Sequence, residues 1–177
     1  MTQDPNWEAE FRTAGAGETK AFAARLGRVL RAGDLLLLTG ELGAGKTTFT
    51  QGLGEGLGVR PGIISPTFVL VREHPSLVNG PDLVHVDAYR LGSEGEVDDI
   101  DLEASMDRAV TVVEWGHGLV EHLSDSRLEI TLIRAVGGEQ PARGGIATDF
   151  SEEDTDEERT IRLAGYGPRW VEPPSLG

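Results

Sequence analysis

Gly40-Glu41-Leu42-Gly43-Ala44-Gly45-Lys46-Thr47 fits the pattern G-x-x-x-x-G-K-S/T in full. Residue types at this spacing suit a phosphate chain. Successive backbone N–H groups in such a loop turn inward and form a concave anion site. Glycines allow the backbone to approach phosphate closely. The lysine offers a point charge to the β- and γ-phosphates, and the next hydroxyl can sit on magnesium. Lysine occurs at only two positions, Lys20 and Lys46. A glycine-rich turn that acquired this lysine by chance is the competing reading, and it does not account for the setting between an apolar run and a helical pattern.

A magnesium ion beside a nucleotide needs carboxylate help, usually from a neighbouring strand end. Two acids fit. Asp87 ends Leu83-Val84-His85-Val86, and Glu114 ends Val110-Thr111-Val112-Val113. Both follow apolar runs and would emerge at the carboxyl ends of strands, where open α/β sheets bind ligands. Of the two, one would hold the ion directly or through water and the other would orient the attacking water. The residues alone leave that assignment open. Ser65-Pro66-Thr67-Phe68 is a candidate γ-phosphate-sensing loop, with a plain turn as the alternative. Arg90 is a candidate for phosphate or partner contact, or for pairing with acids such as Glu94. Trp115 would pack near the nucleotide or in the core. His74, His85, His117 and His122 form no metal-binding pattern, because the five-residue step from His117 to His122 misses the spacing that puts two ligands on one helix face. They read as structural or solvated. No N-K-x-D sequence provides guanine recognition, so ATP is favoured over GTP.

These residues need elements to hold them. Residues 19–31 predict an amphipathic helix, with Phe22, Leu26, Val29 and Leu30 on one face. The apolar run 35–39 predicts a strand covered on both faces. Residues 47–57 predict a helix carrying Gly52, Gly54 and Gly56, each costing about 1 kcal/mol against alanine. Small residues would let that helix lie close to the sheet. Strands are expected at 67–71, 83–87, Ala109–Glu114 and 128–133, a short helix reaching Met106, and a last edge strand at 159–163. Residues 1–10 read as loose. The pattern specifies an α/β fold: a single P-loop NTPase-type domain spanning 1–177, its mixed parallel and antiparallel sheet flanked by helices. The core would run from about 13 to 134, with an acidic mobile insertion at 137–158 and a frayed tail at 168–177. The later strands suggest a meander.

Composition excludes several classes. Over 177 residues the formal net charge is −14, and the chain stays acidic when the acids of 152–158 are set aside. Phosphate-backbone binding needs a basic face, so a principal nucleic-acid grip is disfavoured. There are no cysteines, which removes disulfide scaffolds, cysteine nucleophiles and thiolate metal sites. The apolar run 35–38 is far too short for a membrane span. No apolar leader opens the sequence, so the expected location is the cytoplasm.

Four blocks together resemble the TsaE family of small bacterial P-loop ATPases. They are the loop with Thr48 and Phe49, then Ser65-Pro66-Thr67-Phe68, His85-Val86-Asp87-Ala88-Tyr89-Arg90-Leu91, and Glu114-Trp115. The resemblance implies an ATPase, weak alone, that works with the TsaD and TsaB proteins. That assembly installs threonylcarbamoyl on the adenosine beside the anticodon of tRNAs reading codons that begin with A. It implies ATP/ADP and Mg²⁺ as cofactors, and contact with tRNA only through the complex. By position, Gly43, Ala44, Gly45, Lys46, Thr47 and Thr48 would bind the nucleotide. Thr47 and Glu114 would bind magnesium, Lys46, Asp87 and Glu114 would form the catalytic group, and 65–68 would be a switch-like loop. Glu41 stands where that family often has Asp, and Gly116 where it often has Pro. A small-molecule kinase and a nucleotide-gated binding module without turnover are the alternatives. The first would need an arginine-bearing lid, and Arg72, Arg90 and Arg108 are scattered.

Overall fold

The computed structural model describes residues 4–41, 44–62, 71–88, 102–134 and 158–176. Seven strands form one sheet: β1 Trp7–Thr13, β2 Leu35–Gly40, β3 Val71–His74, β4 Asp82–Asp87, β5 Ala109–Glu114, β6 Arg127–Arg134 and β7 Arg159–Tyr166. Among the described residues the helices are α1 Ala16–Val29, α2 Lys46–Leu57 and the four-residue α3 Glu103–Met106. The strand order is β1-β7-β6-β2-β5-β4-β3. β2 pairs parallel with β5 and β6, and β5 pairs parallel with β4. β3, β7 and β1 join antiparallel. The sheet is thus mixed, as the sequence predicts, with a parallel centre in place of the expected meander.

The apolar run of β2 forms a central strand because it can be covered on both sides. Leu36 and Leu38 enter the core under α1 and α2, with Phe22, Leu26, Phe49 and Leu53. Leu35 and Leu37 point to the other face, with Val84, Val86, Leu102 and Met106. Alternation along a strand produces this split. Phe49 is fully buried; truncating such a side chain to alanine costs about 3–5 kcal/mol.

Gly52 and Gly56 of α2 face α1 rather than the sheet. A β-carbon at Gly52 would stand 2.4 Å from the Lys20 carbonyl oxygen, and one at Gly56 would stand 2.1 Å from that of Ala24. Gly27 of α1 meets the Leu53 carbonyl in the same way. Losing about 1 kcal/mol of helix propensity at each glycine is offset by this close backbone approach.

The two ends of the chain correct the sequence reading. Residues 7–13 are a strand, with Trp7 and Phe11 against the core. β7 lies between β1 and β6, so it is an interior strand and the core extends past 134. Residues 168–170 form a 3-10 turn with Trp170 only 2% exposed, so the tail is not frayed there. Asn6 Nδ2 and Trp7 Nε1 both donate to the Trp170 carbonyl, and Arg169 Nε donates to buried Asp34. Burial of an indole and a charge-assisted pair supply what the proline-rich composition concealed. The expected insertion at 137–158 and most of the expected strand at 67–71 lie outside the described residues.

Candidate functional site

Gly40 ends β2 at the carboxyl edge of the parallel strands, and the chain re-enters at Ala44 and Gly45 before α2. The Ala44 N–H donates to the Glu41 carbonyl at 2.9 Å, and the Phe49 N–H to the Gly45 carbonyl at 2.8 Å. The turn therefore runs straight into the helix. Gly45 has φ 97°, a left-handed conformation that side chains disfavour. The free N–H groups of the first helical turn and its partial positive charge face this loop. Ala44 is buried, while Lys46, Thr47 and Thr48 are half-buried. Leu42 and Gly43 lie outside the described residues.

Lys46 bridges two strand ends. Its Nζ donates to the Gly40 carbonyl and lies 4.5 Å from the centre of the Trp115 ring. An ammonium over an indole face gains about 0.5–2 kcal/mol. Trp115 is 38% exposed and has φ 61°, an uncommon conformation for an aromatic residue. It therefore stands at the mouth of the site, not in the core. The sharp turn there is followed by Gly116, where a β-carbon would come within 3 Å of both Val113 and Val120. Leu119 N–H closes the turn onto the Gly116 carbonyl.

Asp87 and Glu114 are directly opposite each other at the ends of β4 and β5. Alternation puts Leu83, His85 and Asp87 on one face of β4, and Val110, Val112 and Glu114 on the matching face of β5. That is the face α2 covers, since Leu83, Val110 and Val112 pack with Phe49 and Leu53. The two carboxylates and the lysine thus converge on one rim. Glu114 is only 4% exposed and Asp87 half-buried. The Ala88 N–H ties the two strand ends together by donating to the Glu114 carbonyl at 2.9 Å.

His85 is the residue the sequence reading undervalued. It is fully buried, and its Nε2 lies 2.5 Å from Glu114 Oε2. With Glu114 ionised, the carboxylate only accepts, so Nε2 carries the proton. A second missed side chain comes from β7: Arg159 Nε donates to the Ala44 carbonyl at 3.1 Å. His117 instead pairs at the surface with Glu129, at 3.4 Å. Segment 65–68 and Arg90 lie outside the described residues. Among the described residues no group of three or more His, Asp or Glu side chains gathers into a metal-binding cluster. The oxygen donors Thr47, Asp87 and Glu114 suit a hard cation that takes its remaining ligands from phosphate and water.

Residues 13–141 match the family described as "Threonylcarbamoyl adenosine biosynthesis protein TsaE". The chain is 53% identical over 148 residues to a "tRNA threonylcarbamoyladenosine biosynthesis protein TsaE" from Streptomyces coelicolor, covering 83% of this chain and 90% of that one. Identity to the protein of the same name from Bacillus subtilis is 41% over 128 residues, with 72% and 79% covered. The fold is similar to the crystal structure of YdiB from Bacillus subtilis, with a TM-score of 0.66 and 32% identity across 93% of this chain and 89% of that one. The sequence match and the structural likeness agree, and the chain belongs to the TsaE family.

Proposed function

We propose that this protein is a magnesium-dependent ATPase that supports threonylcarbamoyl addition to tRNA, acting with the TsaD and TsaB proteins. The observation that carries this reading is the position of Lys46. It opens a helix, beside the Gly40 carbonyl and Trp115, on the rim that Asp87 and Glu114 share. The names of the relatives place those proteins in tRNA threonylcarbamoyladenosine biosynthesis.

In this reading Gly43, Ala44, Gly45 and Thr48 cradle the phosphates through backbone and hydroxyl donors. Lys46 exchanges the Gly40 carbonyl and the Trp115 face for phosphate oxygens. Thr47 and Glu114 would hold magnesium, whose charge offsets that of the β- and γ-phosphates. Asp87, on the adjoining strand end, orients the attacking water. His85 keeps Glu114 in one rotamer. Adenine is preferred because the guanine-reading sequence is missing from the chain.

The net charge of −14 favours docking on proteins over gripping tRNA directly. No helix among the described residues is long and apolar enough to cross a membrane. We place the protein in the cytoplasm. Phosphate release from ATP, measured alone and with TsaB and TsaD added, tests the proposal. Strong stimulation supports it. ATP binding with no release in the full mixture identifies a gated binding module instead, and transfer to a small acceptor identifies a kinase.

A further inference from the structure

Arg159 opens β7, opposite Thr13 of β1 and Arg134 of β6, and is only 4% exposed. It lies past residue 141, where the family match ends. A buried guanidinium is costly unless its N–H groups find acceptors. Two are evident: NH1 donates to the Glu158 carbonyl at 3.4 Å, and Nε to the Ala44 carbonyl at 3.1 Å. The second reaches across 115 residues of sequence into the loop that precedes α2. The same Nε would lie 3.8 Å from a β-carbon on Gly45.

The peptide between Ala44 and Gly45 is planar and trans, so its C=O and N–H point in opposite directions. Holding the Ala44 oxygen toward β7 turns the Gly45 N–H away from β7. The alternative is a flipped peptide, which rotates ψ of Ala44 and φ of Gly45 together. For most residues sterics would choose between the two. Glycine takes either sign of φ with similar ease, so at Gly45, with φ 97°, the loop's own sequence leaves the choice open. An outside donor must decide it.

We propose that Arg159 is a positioning residue of the nucleotide site. It fixes the Ala44–Gly45 peptide so that the Gly45 N–H faces the bound phosphates, and it places a permanent positive charge behind the loop. This rests on the reading of 40–47 as the phosphate site.

The test uses the full chain with ADP as the probe, by calorimetry, and an amide ¹H–¹⁵N spectrum without nucleotide. Arg159→Met is expected to weaken ADP binding about tenfold or more, the loss typical of a charge-assisted hydrogen bond. It is expected also to move the Gly45 cross-peak before any nucleotide is added. Arg159→Lys, which keeps a cation and a donor, recovers most of the affinity. A folded Arg159→Met protein with wild-type ADP affinity and an unmoved Gly45 signal overturns the proposal. Should that variant not fold, the wild-type Arg159 Nε–H signal decides. A shift at saturating ADP supports the clamp, and an unchanged signal overturns it. Failure of the wild-type protein to bind ADP overturns the site reading itself, whereas equal binding by wild type and Arg159→Met overturns only the clamp.

Discussion

His85 does not bond the residue beside it in the sheet, Val112, but reaches two positions further along β5 to Glu114, with Nε2 and Oε2 2.5 Å apart. The acid proposed to bind metal is therefore held from inside the core. Removing the imidazole leaves a buried acceptor without that partner. His85→Ala should lower stability by about 1–3 kcal/mol. It should also lower magnesium-dependent hydrolysis more than nucleotide affinity. A urea titration beside steady-state kinetics checks both; an unchanged kcat would show that Glu114 needs no such support.

Lys46→Ala removes a half-buried side chain whose contacts are one carbonyl and one ring face. The fold should survive, with Tm within about 4 °C, since contacts of this kind contribute about 1 kcal/mol. ATP-dependent activity should vanish. Calorimetry and phosphate release on the folded variant check this.

Glu114→Gln and Asp87→Asn separate the two carboxylates. Glu114→Gln should abolish the magnesium dependence of hydrolysis and weaken ATP more than magnesium-free ADP. Asp87→Asn should retain magnesium-dependent binding and lose turnover. Both are read by titrating magnesium at fixed nucleotide, and the opposite pattern would exchange the two roles.

Gly56→Ala gains about 1 kcal/mol of helix propensity and would stabilise an isolated helix. Here the added methyl meets the Ala24 carbonyl at 2.1 Å. Backbone on both sides gives way poorly, and overpacking costs about 1–3 kcal/mol. The variant should be net destabilised, seen as a lower urea midpoint.

Burial, then the neighbouring His85 and Arg72, push the pKa of His74 below its ordinary value of 6.5. The unfolded chain binds that proton more readily than the folded one. The stability His74 permits is thus fully present above pH 6.5 and declines as pH falls below it. His74→Phe should flatten this part of the pH profile relative to wild type, as measured by urea midpoints between pH 7 and about 5.

Much of the architecture was legible. The run Ala109–Glu114 reads as a buried strand and is one, and the phosphate-loop pattern sits between strand and helix as required. Asp87 and Glu114 could be named from strand ends alone. Their pairing could not, because register between parallel strands is a tertiary matter. The same holds for His85, whose partner lies 29 residues away. β1 carried a visible alternation of Trp7, Ala9 and Phe11 with Glu8, Glu10 and Arg12, obscured by its polar composition. The interior place of β7 depends on pairing with the far end of the chain, which no local pattern encodes.

That placement of β7 has a consequence for biogenesis. β1 has β7 as its ladder partner, and β6 has β7 on its outer side. A ribosome therefore releases the opening strand long before the neighbour that completes it. This half of the sheet can zip only when the closing segment arrives, a late and high-contact-order step. Nascent chains halted before residue 159 would leave two bare hydrogen-bonding edges, making truncated products, rather than mature protein, the species prone to self-association.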